Sequence, residues 1–307
     1  MRLIKPSFSI WDQQEGLEGV YKQIERAGRV CYKSEDKITE NSAKEFVDRM
    51  IKSGHGAMLE HGTVYLKIPY GTMDDRGEFS NEPIVIKYID NPYSVVMNNS
   101  ENDYWYITSN YRVIIENEWI DDLQYLCEPT EFHAKRITVH FVCDRGVSHE
   151  FVRHRVFSFA QESTRYCNYS KDKFGNELTF ILPPWVDERQ LGEQNSQELL
   201  IQMGSLSNPT YTQEDLNELY FLFSLASSEV QYFNLINNGW KPQQARAVLP
   251  NSLKTELVMT GFVSDWKRFF RLRSRIAKTG KPHPQAQELA DPLMDEFVKR
   301  GIMETLL

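Results

Sequence analysis

Cysteine is scarce in this chain of 307 residues and is never arranged as a redox or metal-binding motif. No Cys-x-x-Cys pair occurs, and no cysteine has metal-ligand spacing with any of the seven histidines. The four cysteines are Cys31, Cys127, Cys143 and Cys167. No metal site is therefore predicted. Free thiols in a chain of this size fit a reducing compartment, so we expect a cytoplasmic protein.

Long apolar runs are also missing. No segment approaches the roughly 18–20 consecutive apolar residues that cross a bilayer. The opening residues, MRLIKPSFSIW, reach Pro6 too soon for the apolar core of a signal peptide. We expect no membrane association. Because no repeat or Pro-, Gly- or Ser-rich linker divides the chain, residues 1–307 are predicted to form one domain.

Positive charge is in deficit, since 35 Lys and Arg face 43 Asp and Glu, for a net charge of −8. One segment stands out against this acidic background: RHRVFSFAQESTR, residues 153–165, holds three guanidiniums and an imidazole within thirteen residues. Guanidiniums bind phosphate oxygens bidentately and stay charged at physiological pH. The segment therefore predicts a local anion site rather than a general polyanion-binding surface.

The spacing inside this segment suggests a ligand. If residues 161–165 are extended, Gln161, Ser163 and Arg165 lie on one face. An amide, a hydroxyl and a guanidinium together suit a phosphorylated ligand that carries a polar ring. On spacing alone, an equal alternative remains: a solvated helix end at Arg153–Arg155 and a turn at Ser163.

The spacing RHR-x7-S resembles the signature of the flavin-dependent thymidylate synthases, which RHRVFSFAQES matches without a gap. Supporting segments are SGHGAMLEHGTVYLKI (53–68), QARAVLP (244–250) and FFRLRSRIAKTGKPHPQAQELA (269–290). The resemblance covers residues 15–68, 136–183 and 214–300. Residues 69–130 have no counterpart and are expected to form an insertion.

The resemblance implies a set of site residues. For FAD they are Arg153, His154, Arg155, His55, Glu60 and His283. For dUMP they are Glu150, Arg153, Gln161, Glu162, Ser163, Arg165, Arg246 and Arg273. Arg273, Ser163 and His55 are expected to take part in catalysis. Arg273 would stabilise negative charge on the pyrimidine ring and so activate C5, whereas Ser163 has no evident base that would make it a nucleophile.

Some of these residues carry an argument of their own. Arg246 lies among apolar neighbours, and a charge buried there needs a partner, either a bound phosphate or an internal carboxylate. His55 and His61 flank Glu60, but a metal site lacks a third ligand at suitable spacing. Glu150 stands where relatives often carry Gln, and Gln161 where Glu is frequent. We hypothesise that these two exchanges compensate in charge.

The implied activity is reductive methylation of dUMP to dTMP. Methylenetetrahydrofolate would give the carbon and FAD reduced by NADPH the hydride, in a homotetramer with shared sites. No cysteine nucleophile is needed. An alternative is a nucleic-acid-binding protein that uses residues 153–165 and 267–275 as phosphate contacts, although the net charge of −8 argues against nucleic acid. A different flavin or nucleotide enzyme is a second alternative.

The expected fold is α/β of the α+β type, with a mixed central sheet flanked by helices and an inserted antiparallel β-rich segment at 69–130. Strands are predicted at 63–68 and 137–142 and, within the insertion, at PIVIKYI, YSVVM, YWYIT and YRVII, before a short helix at 119–126. Helices are predicted at 16–32, 41–53, 148–156, 215–237, from Pro242 to before Pro250, 255–276 and 285–297.

Overall fold

A computed structural model describes residues 1–99, 102–203, 211–278 and 280–305. The strands are β1 (Arg2–Ile4), β2 (Ser7–Trp11), β3 (Thr63–Pro69), β4 (Val95–Asn99), β5 (Tyr104–Asn110), β6 (Arg136–Asp144), β7 (Ser158–Gln161), β8 (Thr179–Ile181), β9 (Gly192–Glu193) and β10 (Lys254–Phe262). The helices are α1 (Gly16–Tyr32), α2 (Ser42–Lys52), α3 (Gly56–Leu59), α4 (Glu82–Ile89), α5 (Tyr111–Glu116), α6 (Arg145–Phe151), α7 (Ser196–Met203), α8 (Gln213–Asn237), α9 (Pro242–Ala245), α10 (Val263–Arg273) and α11 (Pro284–Lys299).

The central sheet has the strand order β2-β6-β10-β7 and is antiparallel throughout. Strands β6 and β10 pair along their whole length, from Arg136 opposite Phe262 to Asp144 opposite Lys254. One face packs on α6, α10 and α11 through a core of aromatic side chains that includes Phe141, Trp266 and Phe269. The opposite face packs on α1 and α3 through a smaller cluster that includes Val30 and Met58.

Two smaller sheets complete the fold. In the order β8-β1-β9, β1 is parallel to β8 and antiparallel to β9. The other sheet, β3-β5-β4, is antiparallel. The predicted α+β class is confirmed, and the mixed pairing occurs in the small β1 sheet rather than in the central one.

Residues 69–130 are less β-rich than the sequence predicts. The runs YSVVM and YWYIT form β4 and β5, but PIVIKYI forms α4 and YRVII forms α5. Pro83 lies in the first turn of α4, where its missing N–H does no harm. The side chain of Asn110 caps α5 by accepting from Val113 N. These local start signals outweigh the β-branched composition. That the segment is an insertion in one domain stays a prediction.

Three further predictions around the site are wrong. Residues 255–276 are not one helix, because β10 runs to Phe262 before α10 begins. Helix α6 begins at Arg145 rather than near Ser148, with the side chain of Asp144 as its N-cap, and it ends at Phe151. Strand β7 ends at Gln161, so residues 161–165 do not form an extended run.

Within the described part of the chain, no helix combines the length and the apolar character needed to cross a membrane.

Candidate active site

The ends of α6 and α10 bring together three predicted site residues from two distant parts of the sequence. Arg273, the last residue of α10, donates from Nε to His154 Nε2 (3.1 Å) and from Nη2 to the carbonyl oxygen of Glu150 (3.0 Å). Its Nη1 also forms an ion pair with the Glu150 carboxylate. The guanidinium is therefore held in one orientation by two residues of the 150–154 segment.

His154 is neutral in this arrangement. Burial, and then the adjacent Arg273 charge, lower the pKa of His154 to about 4. The ring packs against Phe269, with 5.1 Å between the centroids. Because Nε2 accepts from Arg273, the ring proton must lie on Nδ1.

A cleft of about 300 Å³ opens beside this cluster. Its lining includes Asp144, Glu150, Trp185, Phe221, His283 and Gln285. His283 is the residue before α11, and its ring meets the Trp185 ring edge-on at 5.9 Å. Gln285 donates to Asp144 Oδ2 (2.9 Å), and Val147 N donates to Asp144 Oδ1 (2.8 Å), so both oxygens of Asp144 are engaged.

Arg153 and Arg155 lie in the turn between α6 and β7 and are exposed. Neither guanidinium forms an ion pair within the residues that the structure describes, whose ion pairs involve other arginines. Two unpaired guanidiniums, on residues two apart in the sequence, are available for phosphate oxygens.

The residues after β7 divide between the surface and the interior. Gln161 donates to Ser148 Oγ (2.8 Å) on α6, and Ser163 Oγ accepts from the backbone N–H of Arg165 (3.3 Å). Arg165 is exposed and donates to Gln243 Oε1 (3.3 Å). Glu162 is instead buried, where it accepts from Lys254 Nζ (2.9 Å). The Glu162 carboxylate therefore faces the interior, where it pairs with Lys254 of β10 instead of lying at the surface of the site.

Arg246 is exposed, contrary to the argument that its apolar neighbours bury it. Helix α9 ends at Ala245, and the next turn carries the Arg246 side chain to the surface. Because Gln243 on α9 contacts Arg165, the helix that precedes Arg246 lies beside the turn that carries Arg165. Arg246 needs no buried partner, and its charge is available to a ligand.

His55 and Glu60 flank the short helix α3 on the other face of the central sheet. His55 is exposed, whereas Glu60 accepts from Arg112 Nη1 (2.7 Å) of α5. Arg136 donates both to the carbonyl oxygen of Glu60 (3.1 Å) and to Ser158 Oγ (3.4 Å), which fixes α3 beside β7.

His61 belongs to the interior. It is fully buried, its Nδ1 lies 2.8 Å from Thr260 Oγ1, and its Nε2 has no partner among the described residues. Burial is the main cause that lowers the pKa of His61 to about 3.

Two contributors to the site carry no motif. Trp185 is 59% exposed at the cleft, and Arg112 holds Glu60 from inside the 69–130 segment. Trp185 follows Pro183-Pro184, but nothing in the sequence indicates that its side chain is exposed at the cleft. Arg112 gives no signal either, because its partner lies 52 residues away.

Three kinds of known protein are similar to this chain. The sequence model of the family described as thymidylate synthase complementing protein matches residues 86–300, beginning inside the 69–130 segment. A flavin-dependent thymidylate synthase of Mycobacterium avium (strain 104) is 33% identical over 130 residues, which are 42% of this chain and 46% of that protein. One from Corynebacterium aurimucosum is 25% identical over 267 residues, 86% of this chain and 72% of that protein. A solved UMP/dUMP methylase, PolB from Streptomyces cacaoi bound with 5-Br dUMP, aligns over 97% of this chain and 93% of its own, at 15% identity and a TM-score of 0.40.

The aligned part spans about half the length of the first of these curated relatives. The family match is broader, since it extends over more than half of this chain and includes Glu150, His154 and Arg273. The chain belongs to the family of thymidylate synthase complementing proteins.

Proposed function

We propose that this protein is a flavin-dependent thymidylate synthase. It would methylate dUMP reductively to dTMP, with methylenetetrahydrofolate as the carbon donor and FAD reduced by NADPH as the hydride source. The observation that carries the proposal is the orientation of Arg273 by Glu150 and His154, next to the unpaired guanidiniums of the RHR segment.

Arg273 is the residue that acts on the pyrimidine. Glu150 and His154 engage three of its five N–H donors, which leaves two for a ring carbonyl. A donor fixed before the reaction stabilises developing negative charge without reorganising. Neutral His154 adds no positive charge of its own. Arg273 is therefore the group that stabilises the enolate-like negative charge on the pyrimidine ring.

The exposed guanidiniums fit the phosphates of both ligands. Arg153 and Arg155 are exposed, unpaired and two residues apart, which suits the diphosphate of FAD, while the exposed Arg165 and Arg246 suit the phosphate of dUMP. When bound, the flavin supplies the hydride chemistry that no side chain can provide. His55, Glu60, His154 and His283 would orient it. Ser163 would contact the nucleotide through its hydroxyl, beside Gln161.

The cysteines support a route without a thiol nucleophile. Burial raises the pKa of Cys31 to about 11, that of Cys127 to about 11 and that of Cys167 to about 12. Cys143 is fully buried, and its pKa is raised well above the usual value by the same cause. Only the thiolate attacks carbon efficiently, so none of these groups is an activated nucleophile at neutral pH.

The division of site residues between two faces supports a shared site. Glu150, His154 and Arg273 lie with α6 and α10, whereas His55 and Glu60 lie with α1 and α3 across the central sheet. A ligand that needs both groups is most simply enclosed by two copies of the chain. We propose that the protein is a homotetramer with sites shared between subunits.

Absorption spectroscopy tests the flavin part of the proposal. The purified protein should show a flavin spectrum that NADPH bleaches under anaerobic conditions, faster with dUMP present. It should then release tritium from C5-labelled dUMP when methylenetetrahydrofolate is added. A colourless protein that takes up no FAD would contradict the proposal, and salt-sensitive binding of polynucleotide would favour the nucleic-acid alternative.

Mixing two inactive variants tests the shared site. His55→Ala and Arg273→Met remove groups from opposite faces of the sheet, so mixed oligomers should regain part of the wild-type activity if one site uses both subunits. Light scattering of the wild type gives the oligomeric state. Recovery no greater than the sum of the separate variants, in a sample shown to exchange subunits, would contradict sharing.

A further inference from the structure

A second cleft, of about 330 Å³, lies on the α1 side of the central sheet, and its lining includes none of the residues predicted to bind nucleotide or flavin. We call it the basic cleft. Four cationic side chains line it, those of Arg2, Lys33, Lys173 and Lys254, against the single carboxylate of Glu177. The chain as a whole has a net charge of −8, so this excess of positive charge is local to the cleft. Such a concentration of cations attracts an anionic ligand.

Two of these cations are already paired with carboxylates that lie outside the lining. Lys33 Nζ lies 2.8 Å from a Glu35 oxygen and 2.9 Å from a Glu256 oxygen. Lys254 Nζ lies 2.9 Å from Glu162 and 2.7 Å from Glu256. The side chains of Glu162 and Glu256 are only 1% and 12% exposed. The basic cleft therefore presents the ammonium groups to a ligand and not their counterions.

Arg2 and Lys173 have no such counterion. Both side chains are exposed, and neither forms an ion pair within the part of the chain that the structure describes. Arg2 is held in β1, where it lies opposite Thr179 of β8. Lys173 donates to the carbonyl oxygen of Lys33 (2.7 Å), and its Nζ lies 5.1 Å from the centre of the Phe174 ring. Two positive charges are thus held at one cleft without a negative partner, which a bound anion would supply.

The chemistry of these groups fits a phosphate monoester. The guanidinium of Arg2 can bind two phosphate oxygens at once, and the ammonium of Lys173 adds a second positive charge. A phosphate monoester carries roughly two negative charges at neutral pH, which balance both cations. The rings of Phe174 and Tyr169 meet edge to face, with 5.1 Å between their centroids, and form an apolar wall of the cleft. The organic part of a small phosphorylated molecule can pack against this wall.

We propose that the basic cleft binds the phosphate group of a small phosphomonoester, at a site separate from those of dUMP, FAD and NADPH. Arg2 and Lys173 bind the phosphate oxygens, and the organic part of the ligand contacts Phe174. Glu177 is the one carboxylate in the lining, so it repels the anion and limits the affinity. Inorganic phosphate has the charge of such a ligand but lacks its organic part, and the two can therefore be distinguished by their affinities.

Calorimetry with phenyl phosphate and with inorganic phosphate tests the site, at constant ionic strength and with excess FAD and dUMP to occupy the other phosphate sites. Lys173→Gln should weaken phenyl phosphate binding about tenfold, because a charge-assisted hydrogen bond is lost. Glu177→Gln should strengthen it about two- to fivefold, because a like charge is removed. The matched control is Lys171→Gln. Lys171 is exposed and lies two residues before Lys173 but outside the lining, so its replacement should leave binding unchanged.

Several results would overturn the inference. Wild-type protein that binds neither anion would do so, as would an equal loss in Lys173→Gln and Lys171→Gln. Displacement of phenyl phosphate by NADP+ but not by NAD+, which lacks the 2′-phosphate, would assign the cleft to the reductant instead. Equal affinity for phenyl phosphate and inorganic phosphate would contradict the phosphomonoester. The comparison of the two lysine variants needs no turnover, so its failure is distinguishable from a failure to release tritium from dUMP.

Discussion

The buried ion cluster around Glu256 gives the sharpest test of the fold, and the perturbation is Glu256→Gln. Glu256 is on β10, and its carboxylate accepts from Lys254 Nζ (2.7 Å), Lys33 Nζ (2.9 Å) and His140 Nε2 (2.9 Å). The side chain is 12% exposed. The amide would keep the size but remove the charge, and it would turn an acceptor into an NH2 that faces a donor.

The expected loss follows from what each lysine retains. Lys33 still forms an ion pair with Glu35, and Lys254 still forms one with Glu162, so neither lysine loses all of its partners. We expect the free energy of unfolding to fall by about 2–3 kcal/mol, below the full cost of breaking a buried pair. If the free energy of unfolding falls by roughly 3 kcal/mol per M urea, the urea midpoint would drop by about 0.7–1 M. Urea denaturation followed by circular dichroism measures it.

The control and the pH dependence make this prediction refutable. Glu35→Gln removes a half-exposed partner of Lys33 and should cost less than about 1 kcal/mol. Burial alone would raise the pKa of Glu256. The hydrogen bond from His140 and the nearby charges of Lys254 and Lys33 outweigh burial and lower this pKa. A lowered carboxyl pKa stabilises the fold above the unfolded value of about 4.3, and this stabilisation is lost as pH falls below it. An equal loss in both variants, or a gap between wild type and Glu256→Gln that persists unchanged at pH 3, would refute the reasoning.

Three other outcomes are expected. Arg273→Lys should lower kcat for dTMP formation about a hundredfold, because one ammonium cannot replace the oriented guanidinium, and a loss below threefold would contradict that role. The His154 imidazole should titrate near 4 by NMR, so stability falls as pH drops from about 6.5 toward 4, and a midpoint above 6 would exclude a neutral, half-buried ring. Tyr88→Phe should cost about 1–2 kcal/mol in urea because the buried Asp122 carboxylate loses its 2.7 Å donor, whereas the exposed Tyr93→Phe should not change stability.

The sequence predicts elements well where the hydrophobic period is long. The periodic runs predicted as helices at 16–32 and 215–237 are α1 and most of α8. Short apolar runs are ambiguous. Residues 254–262 are buried on both faces of the central sheet and show no alternation, so only their pairing with β6 and β7 identifies a strand. The α4 run is half-buried, with Val85 and Tyr88 three residues apart on its inner side, as in a helix.

The motif segments that carry Glu150 and Arg273 lie together in the structure, but the motifs do not reveal how these side chains pair. Glu150 and Arg273 are separated by 123 residues, and nothing local indicates that one orients the other. The exposure of Arg246 likewise depends on where a turn ends, which apolar neighbours do not report. The interior position of Glu162 depends on Lys254, a strand residue predicted to lie just before a helix.

The length of helix α10 determines where Arg273 lies. It begins where β10 ends, at the far end of the sheet from α6, and its eleven residues return about 16 Å to place Arg273 beside Glu150. One residue inserted into α10 would turn Arg273 by about 100° and shift it by about 1.5 Å, away from Glu150 and His154. Among the described residues of 69–130, none forms a hydrogen bond or ion pair with Arg273, so a change of length there leaves its partners Glu150 and His154 in place. Natural variation in chain length should therefore accumulate in that segment and be absent from α10.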